Sequence, residues 1–155
     1  MKKSVLFVCL GNICRSPSGE AVLKAKLTDA GLDKDVFVDS AGTSGYHEGD
    51  VADERMQSHA VKRGFNLTSI SRQISPTDFD RFDYIIAMDK SNYQNLINKA
   101  YTPEHKQKIS MMTDFSQTHS GDVPDPYYGG SQGFENVLDI LEDSVDGLIQ
   151  ELREQ

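Results

Sequence analysis

The chain opens on an unbroken apolar run, Val5-Leu6-Phe7-Val8, that is β-branched and aromatic and is stopped by Gly11-Asn12. A short run with no alternation predicts a strand buried on both faces of a parallel sheet, and we expect it to be the central one. The period then changes. Val22, Leu23, Ala25, Leu27 and Ala30 form a stripe at helical spacing that ends at Gly31, with Ser16 placed to cap the helix and Pro17 at its first position. Val36-Phe37-Val38 predicts a second strand, residues 40–45 a loop, and residues 53–63 a helix stopped by Gly64. Tyr84 to Met88 reads as another buried strand, Ser91 to Lys99 as a short helix and Ile109 to Met112 as a weak strand. Glu135 to Glu151 reads as a long helix, with Val137, Leu138, Leu141, Val145, Leu148 and Leu152 on one side.

This alternation predicts one α/β domain over residues 1–155, an open parallel sheet with helices on both faces. Ligands of such sheets sit beyond the carboxyl ends of the strands. Residues 113–133, rich in Gly, Pro, Ser and Asp, form the longest irregular stretch. They leave the last strand at its carboxyl end and should reach the same edge as the loop after the first strand.

Composition narrows the function. With 155 residues the chain can bury roughly 70% of the surface its unfolded form exposes, enough for one core. Lys plus Arg number 16 against 24 Asp plus Glu, a formal charge of -8, which excludes a general nucleic-acid binder. Any anion must be captured locally. The longest apolar runs are too short to span a membrane, and no cleavage site follows the N-terminal run as in a signal peptide. The two cysteines, Cys9 and Cys14, would close too small a loop to staple the fold, so a reducing, cytoplasmic setting is expected.

Those cysteines lie in the segment Cys9-Leu10-Gly11-Asn12-Ile13-Cys14-Arg15-Ser16, between the first strand and the first helix. If the five residues separating Cys9 from Arg15 wrap into a ring, their N–H groups form an anion nest, and the helix adds the positive end of its dipole. Cys9 would sit at the floor, where donors suited to phosphate also stabilise a thiolate. Arg15 offers a planar fork that can grip two phosphate oxygens, which a lysine cannot match. Gly11 and Asn12 are residue types that tolerate left-handed backbone. A lone cysteine after an apolar strand is more often a buried hydrophobe, but the strand-loop-helix context favours a nucleophile. Zinc ligation would need further Cys or His at paired spacing; His47, His59, His105 and His119 supply none and read as ordinary surface residues.

In the long late loop, Pro126 holds Asp125 extended and Pro124 stiffens the approach. Asp125 is the candidate acid for a phenolate leaving group. Tyr127 and Tyr128 could present aromatic faces to a phenyl ring, and Tyr46 is a third candidate wall; each could equally pack its loop.

The sequence closely resembles the low-molecular-weight protein tyrosine phosphatase family, through residues 8–17, Asp39-Ser40-Ala41-Gly42-Thr43, Phe82-Asp83-Tyr84-Ile85 with Met88-Asp89, and Asp125-Pro126-Tyr127-Tyr128-Gly129. The resemblance implies a four-stranded parallel sheet, Cys9 as nucleophile, Arg15 as phosphate clamp and Asp125 as acid then base. Asn12 and Ser40 would support the loop, and the Ser16 hydroxyl would aid the thiolate. The backbone of Leu10, Gly11, Ile13 and Cys14 would complete the phosphate cradle. It implies phosphotyrosine-containing proteins as substrates, inorganic phosphate or vanadate as ligands, no cofactor, and a monomer or weak dimer. Tyr46, Ser69 and Gly19 stand where many members carry Trp, His and Ala. Competing expectations are arsenate reduction, which looks to need a resolving cysteine pair absent after Cys14, and protein-arginine phosphatase activity, associated with Thr at the place of Ile13. A catalytically silent phosphotyrosine-binding module is the reading from another class. Cys14 beside Cys9 also suggests a reversible disulfide that would shield the nucleophile from over-oxidation.

Overall fold

The computed structural model describes residues 2–127 and 130–154. Four parallel strands, β1 (Lys3–Cys9), β2 (Val36–Gly42), β3 (Tyr84–Ala87) and β4 (Ile109–Met111), are ordered β2-β1-β3-β4. The first strand is therefore interior, as its uninterrupted apolar run requires. Its side chains split with a period of two. Val5, Phe7 and Cys9 face a core closed by α1 (Arg15–Asp29), α2 (Glu54–Val61) and α6 (Ser131–Glu154). Leu6 and Val8 face a smaller core with Phe79 of α3 (Asp78–Arg81), Leu96 of α4 (Lys90–Lys99) and Phe82, and the Phe79 ring lies 5.7 Å from that of His105 on α5 (Pro103–Gln107).

Several local expectations are corrected. β2 continues through Ser40-Ala41-Gly42, expected as loop, because those residues pair with Phe7, Val8 and Cys9 of β1. Ser16 does not cap α1; the helix begins at Arg15 and its cap, Cys14, makes no side-chain hydrogen bond. The helices α3 and α5 were not foreseen, nor was the 3-10 turn over Met112–Phe115 that shortens the late loop. None of the four histidines is freely exposed. His59 pairs with Glu135, His105 with Asp80 at 2.7 Å and His119 with Asp143 at 3.0 Å.

Two glycines are set by close approach. A Cβ on Gly19 would lie 3.1 Å from both Met88 and Phe7, which explains a helix position without a side chain at the sheet surface. A Cβ on Gly147, within α6, would lie 1.8 Å from the carbonyl oxygen of Phe115. In an open helix Gly→Ala stabilises by about 1 kcal/mol; here the backbone collision reverses the sign. Gly147→Ala is expected to lower stability by about 1–3 kcal/mol in urea melts, and a raised midpoint would show that the turn does not seat against α6 in this way.

Candidate active site

The site is built where β1 runs out. Cys9 ends the strand, 3% exposed, and the chain curls through residues 10–14 into α1. The loop's carbonyls are held from outside. Leu10 O accepts from Ser44 N (2.9 Å), Gly11 O from the Ser71 hydroxyl (2.9 Å) and Ile13 O from Asp53 N (2.8 Å). Because C=O and the next N–H point oppositely across a peptide plane, this turns the N–H groups of Gly11, Asn12 and Cys14 toward the centre. The free N–H groups of the first turn of α1 join them. The result is an anion nest with the Cys9 thiol at its base.

Asn12 is the keystone. It is the one described non-glycine residue with positive φ (58°), and it is 1% exposed. Its amide nitrogen donates to Ser16 Oγ (2.8 Å) and Ser40 Oγ (3.0 Å), while its amide oxygen accepts from Arg72 N (3.0 Å). Ser40 in turn donates to Glu20 Oε1 (2.6 Å). Ser16 Oγ, accepting from Asn12, keeps its own proton for Cys9 Sγ, 3.0 Å away; the competing acceptor, Ala41 O, is more distant at 3.4 Å. The Ser16 hydroxyl is thereby aimed at the sulfur. Gly11 does not use left-handed backbone, contrary to the expectation for it. Its lack of a side chain instead admits the His47 ring, whose Cδ2 would lie 2.9 Å from a Cβ there.

Arg15 is 3% exposed and points back across the loop mouth. Its Nη1 donates to Asp89 Oδ2 (2.6 Å) and to Val123 O (3.0 Å), and its Nη2 lies 3.7 Å from Asp125 Oδ2. Burial alone would lower its pKa; the negative charges of Cys9, Asp89 and Asp125, with the Asp89 hydrogen bond, raise it instead. Arg15 is a fixed cation. The Cys14 thiol is pushed up, first by burial and then by Asp53, Cys9 and Asp125, so it stays neutral beside Cys9. Both thiols are free.

The late loop is pinned to the same edge. Val123 is buried and donates its N–H to Met88 O (2.8 Å), and Asp122 accepts from Lys90 N (2.9 Å). This brings Asp125 to the mouth, its Oδ1 accepting from Tyr127 N (3.0 Å). A pocket of about 450 Å³ joins Cys9, Arg15 and Asp125 to a wall of Tyr46, His47 and Tyr127. Tyr46 meets His47 edge-on at 4.9 Å, and His47 and Tyr127 stand 6.2 Å apart. Leu10, Gly11, Ile13 and Cys14 also line it, whereas Asn12, Ser16 and Ser40 lie behind it as support. Tyr128 falls outside the described residues. Sequence reasoning missed Asp89, Glu20, Arg72, Ser71 and His47. Among the described residues no group of three or more His, Cys, Asp or Glu is placed to hold a metal.

The sequence model for low molecular weight phosphotyrosine protein phosphatases matches residues 4–155. The chain is 44% identical over 136 residues to the human low molecular weight phosphotyrosine protein phosphatase, covering 87% of this chain and 86% of that one. Its structure is similar to that of a protein tyrosine phosphatase from Entamoeba histolytica, with a TM-score of 0.96, 49% identity and coverage of 99% and 98%. A Drosophila arginine phosphatase is also similar, with a TM-score of 0.89, 35% identity and coverage of 98% of each chain.

The Asn12 network can be tested apart from its backbone. Asn12→Gly keeps the left-handed turn but leaves buried partners unpaired, costing about 1–3 kcal/mol. Asn12→Ala adds strain of about 1 kcal/mol. Urea melts are expected to rank the wild type above Asn12→Gly and that above Asn12→Ala; equal stability of the two variants would refute the strain argument.

Proposed function

The chain belongs to the low molecular weight phosphotyrosine protein phosphatases, and we propose that it hydrolyses phosphotyrosine in proteins through a phosphocysteine formed on Cys9. The observation that carries this reading is the convergence of Cys9, Arg15 and Asp125 on one pocket, with Arg15 and Asp125 3.7 Å apart.

In the first step the Cys9 thiolate attacks phosphorus in line and the P–O bond to the aryl group breaks. Asp125 gives its proton to the departing phenol oxygen. In the second step water attacks the phosphocysteine, Asp125 accepts its proton, and the S–P bond breaks to restore the thiolate and release inorganic phosphate. Through both steps the loop N–H groups and the Arg15 fork face the equatorial oxygens, where charge is held as phosphorus inverts. Ser16 steadies the thiolate as nucleophile and again as leaving group. Tyr46, His47 and Tyr127 would flank the phenyl ring. The pocket would take inorganic phosphate as the product, and vanadate as a mimic of the trigonal-bipyramidal transition state. The two free thiols support a reducing, cytoplasmic setting, and no helix among the described residues is long and apolar enough to cross a membrane.

Tyrosine is favoured over arginine specificity by Ile13, an apolar lining residue, and by the higher identity to the Entamoeba tyrosine phosphatase than to the Drosophila arginine phosphatase. Arsenate reduction is disfavoured because the chain has two cysteines, both in the phosphate loop.

Phosphate release from p-nitrophenyl phosphate and from phosphotyrosine, phosphoserine and phosphoarginine substrates, with EDTA and with vanadate, tests the reading. Turnover is expected for the two aryl phosphates only, indifferent to EDTA and blocked by vanadate; turnover of phosphoarginine alone would overturn the specificity. Cys9→Ser is expected to abolish turnover while retaining phosphate binding. Asp125→Ala is expected to slow cleavage of phenyl phosphate by roughly 10²–10⁴-fold, and of p-nitrophenyl phosphate by much less. Cys9→Ser turning over at the wild-type rate would end the covalent mechanism.

A further inference from the structure

We propose that Arg55 is a positioning residue for Asp125, holding the acid-bearing segment in register with the phosphate loop; the inference rests on Asp125 being the acid. Arg55 is the second residue of α2, half exposed, and by itself reads as one more surface cation. Its surroundings argue otherwise. The guanidinium Nη2 donates to the carbonyl oxygen of Tyr127 at 2.9 Å. The same group lies 5.4 Å from the Tyr127 ring centroid and 5.0 Å from that of Phe134, which is buried in the first turns of α6. Nε and Nη2 also donate to the two oxygens of Asp53, at 3.3 and 3.1 Å.

Both ends of this arrangement reach the reacting groups. On one side, Asp53 caps α2 by accepting from the N–H groups of Arg55 and Met56, and its own N–H donates to Ile13 O of the phosphate loop. On the other, Tyr127, whose carbonyl Arg55 holds, donates its N–H to Asp125 Oδ1 at 3.0 Å. Asp125 Oδ2 is thereby left facing Arg15 at the mouth. Residue 127 is gripped at its carbonyl by Arg55 and at its N–H by Asp125, and Pro126, with its own φ fixed, joins Asp125 to Tyr127. One path, Ile13 to Asp53 to Arg55 to Tyr127 to Asp125, thus ties nucleophile loop to acid. Only a planar fork can chelate Asp53, reach a carbonyl and face two rings at once.

An exposed ion pair of ordinary kind contributes little and acts on all substrates alike. A positioning residue acts through the acid, and the leaving group reveals the difference. The experiment is kcat/KM, which reports the first irreversible step, for phenyl phosphate and p-nitrophenyl phosphate. It is measured with wild type, Arg55→Ala, Asp125→Ala and the double variant. Phenol, with a pKa of about 10, needs the proton; p-nitrophenol needs it far less. Arg55→Ala is expected to lower kcat/KM for phenyl phosphate by about tenfold and for p-nitrophenyl phosphate by less than about twofold, and to add no loss when Asp125 is already Ala. Arg55→Met, which keeps an apolar stem against the rings but cannot bond Tyr127, is expected to match it, and serves if the Ala variant melts below the assay temperature.

Equal losses on both substrates, undiminished in the Asp125→Ala background, would overturn the proposal and leave Arg55 a structural residue. If Asp125→Ala itself affected both substrates equally, the acid assignment would fail and this proposal with it. A leaving-group effect in Asp125→Ala with none in Arg55→Ala would overturn this proposal alone.

Discussion

A ring of backbone N–H groups pointing at one spot is a conformation the chain resists, because aligned dipoles repel and the turn needs left-handed backbone. The structure depends on the grip that holds this ring open from outside. Ser44, Ser71 and Asp53 take the loop carbonyls, and Asn12 turns inward to bind Ser16, Ser40 and Arg72. β2 runs on to Gly42 beside β1, where a Cβ would meet the Leu10 carbonyl at 2.7 Å. The strain is thus met by hydrogen bonds and packing from the protein itself, of the kind that preorganised electrostatic catalysis requires.

Arg15 poses the second demand of the same kind. A buried guanidinium without a partner costs several kcal/mol. Asp89 supplies the partner while also capping α4 through Asn92 N at 2.7 Å, so one carboxylate serves a helix start and the phosphate clamp. Val123 adds a carbonyl, which makes the late loop part of the clamp's setting and brings Asp125 within reach of it. The segments that carry Cys9, Arg15 and Asp125 are mutually braced.

Much of this was legible in the sequence because it is local. The apolar run of β1, the cysteine and arginine with five residues between them, and the proline-flanked Asp125 each carry their chemistry within a few positions. The residues that escaped notice act at long range. Glu20, on α1, lies beneath Ser40, and Asp89, which caps α4, reaches Arg15 far upstream. Ser16 was misread for the opposite reason: its local chemistry favours a cap, but Cys9 and Asn12 recruit its hydroxyl into the loop. The Thr102-Pro103 start of α5 is a proper capping signature, obscured by a helix only five residues long with no apolar stripe. Ser40-Ala41-Gly42, small and polar, become strand only because β1 lies alongside.

A chain of formal charge -8 that binds a dianion looks contradictory until distances are considered. Exposed carboxylates beyond a Debye length of about 8 Å are largely screened at physiological salt. The field at the phosphate is set instead by groups within hydrogen-bonding range: loop N–H dipoles, the start of α1 and a buried Arg15. Two carboxylates do approach that close. Asp89 is bound to Arg15 Nη1 and capped on α4, which spreads its charge among donors. Asp125 meets Arg15 only at 3.7 Å and stays partly exposed, as the acid role proposed for it requires. One carboxylate is fully engaged by structural donors; the other is positioned at the mouth through Tyr127 N and turns its second oxygen toward Arg15.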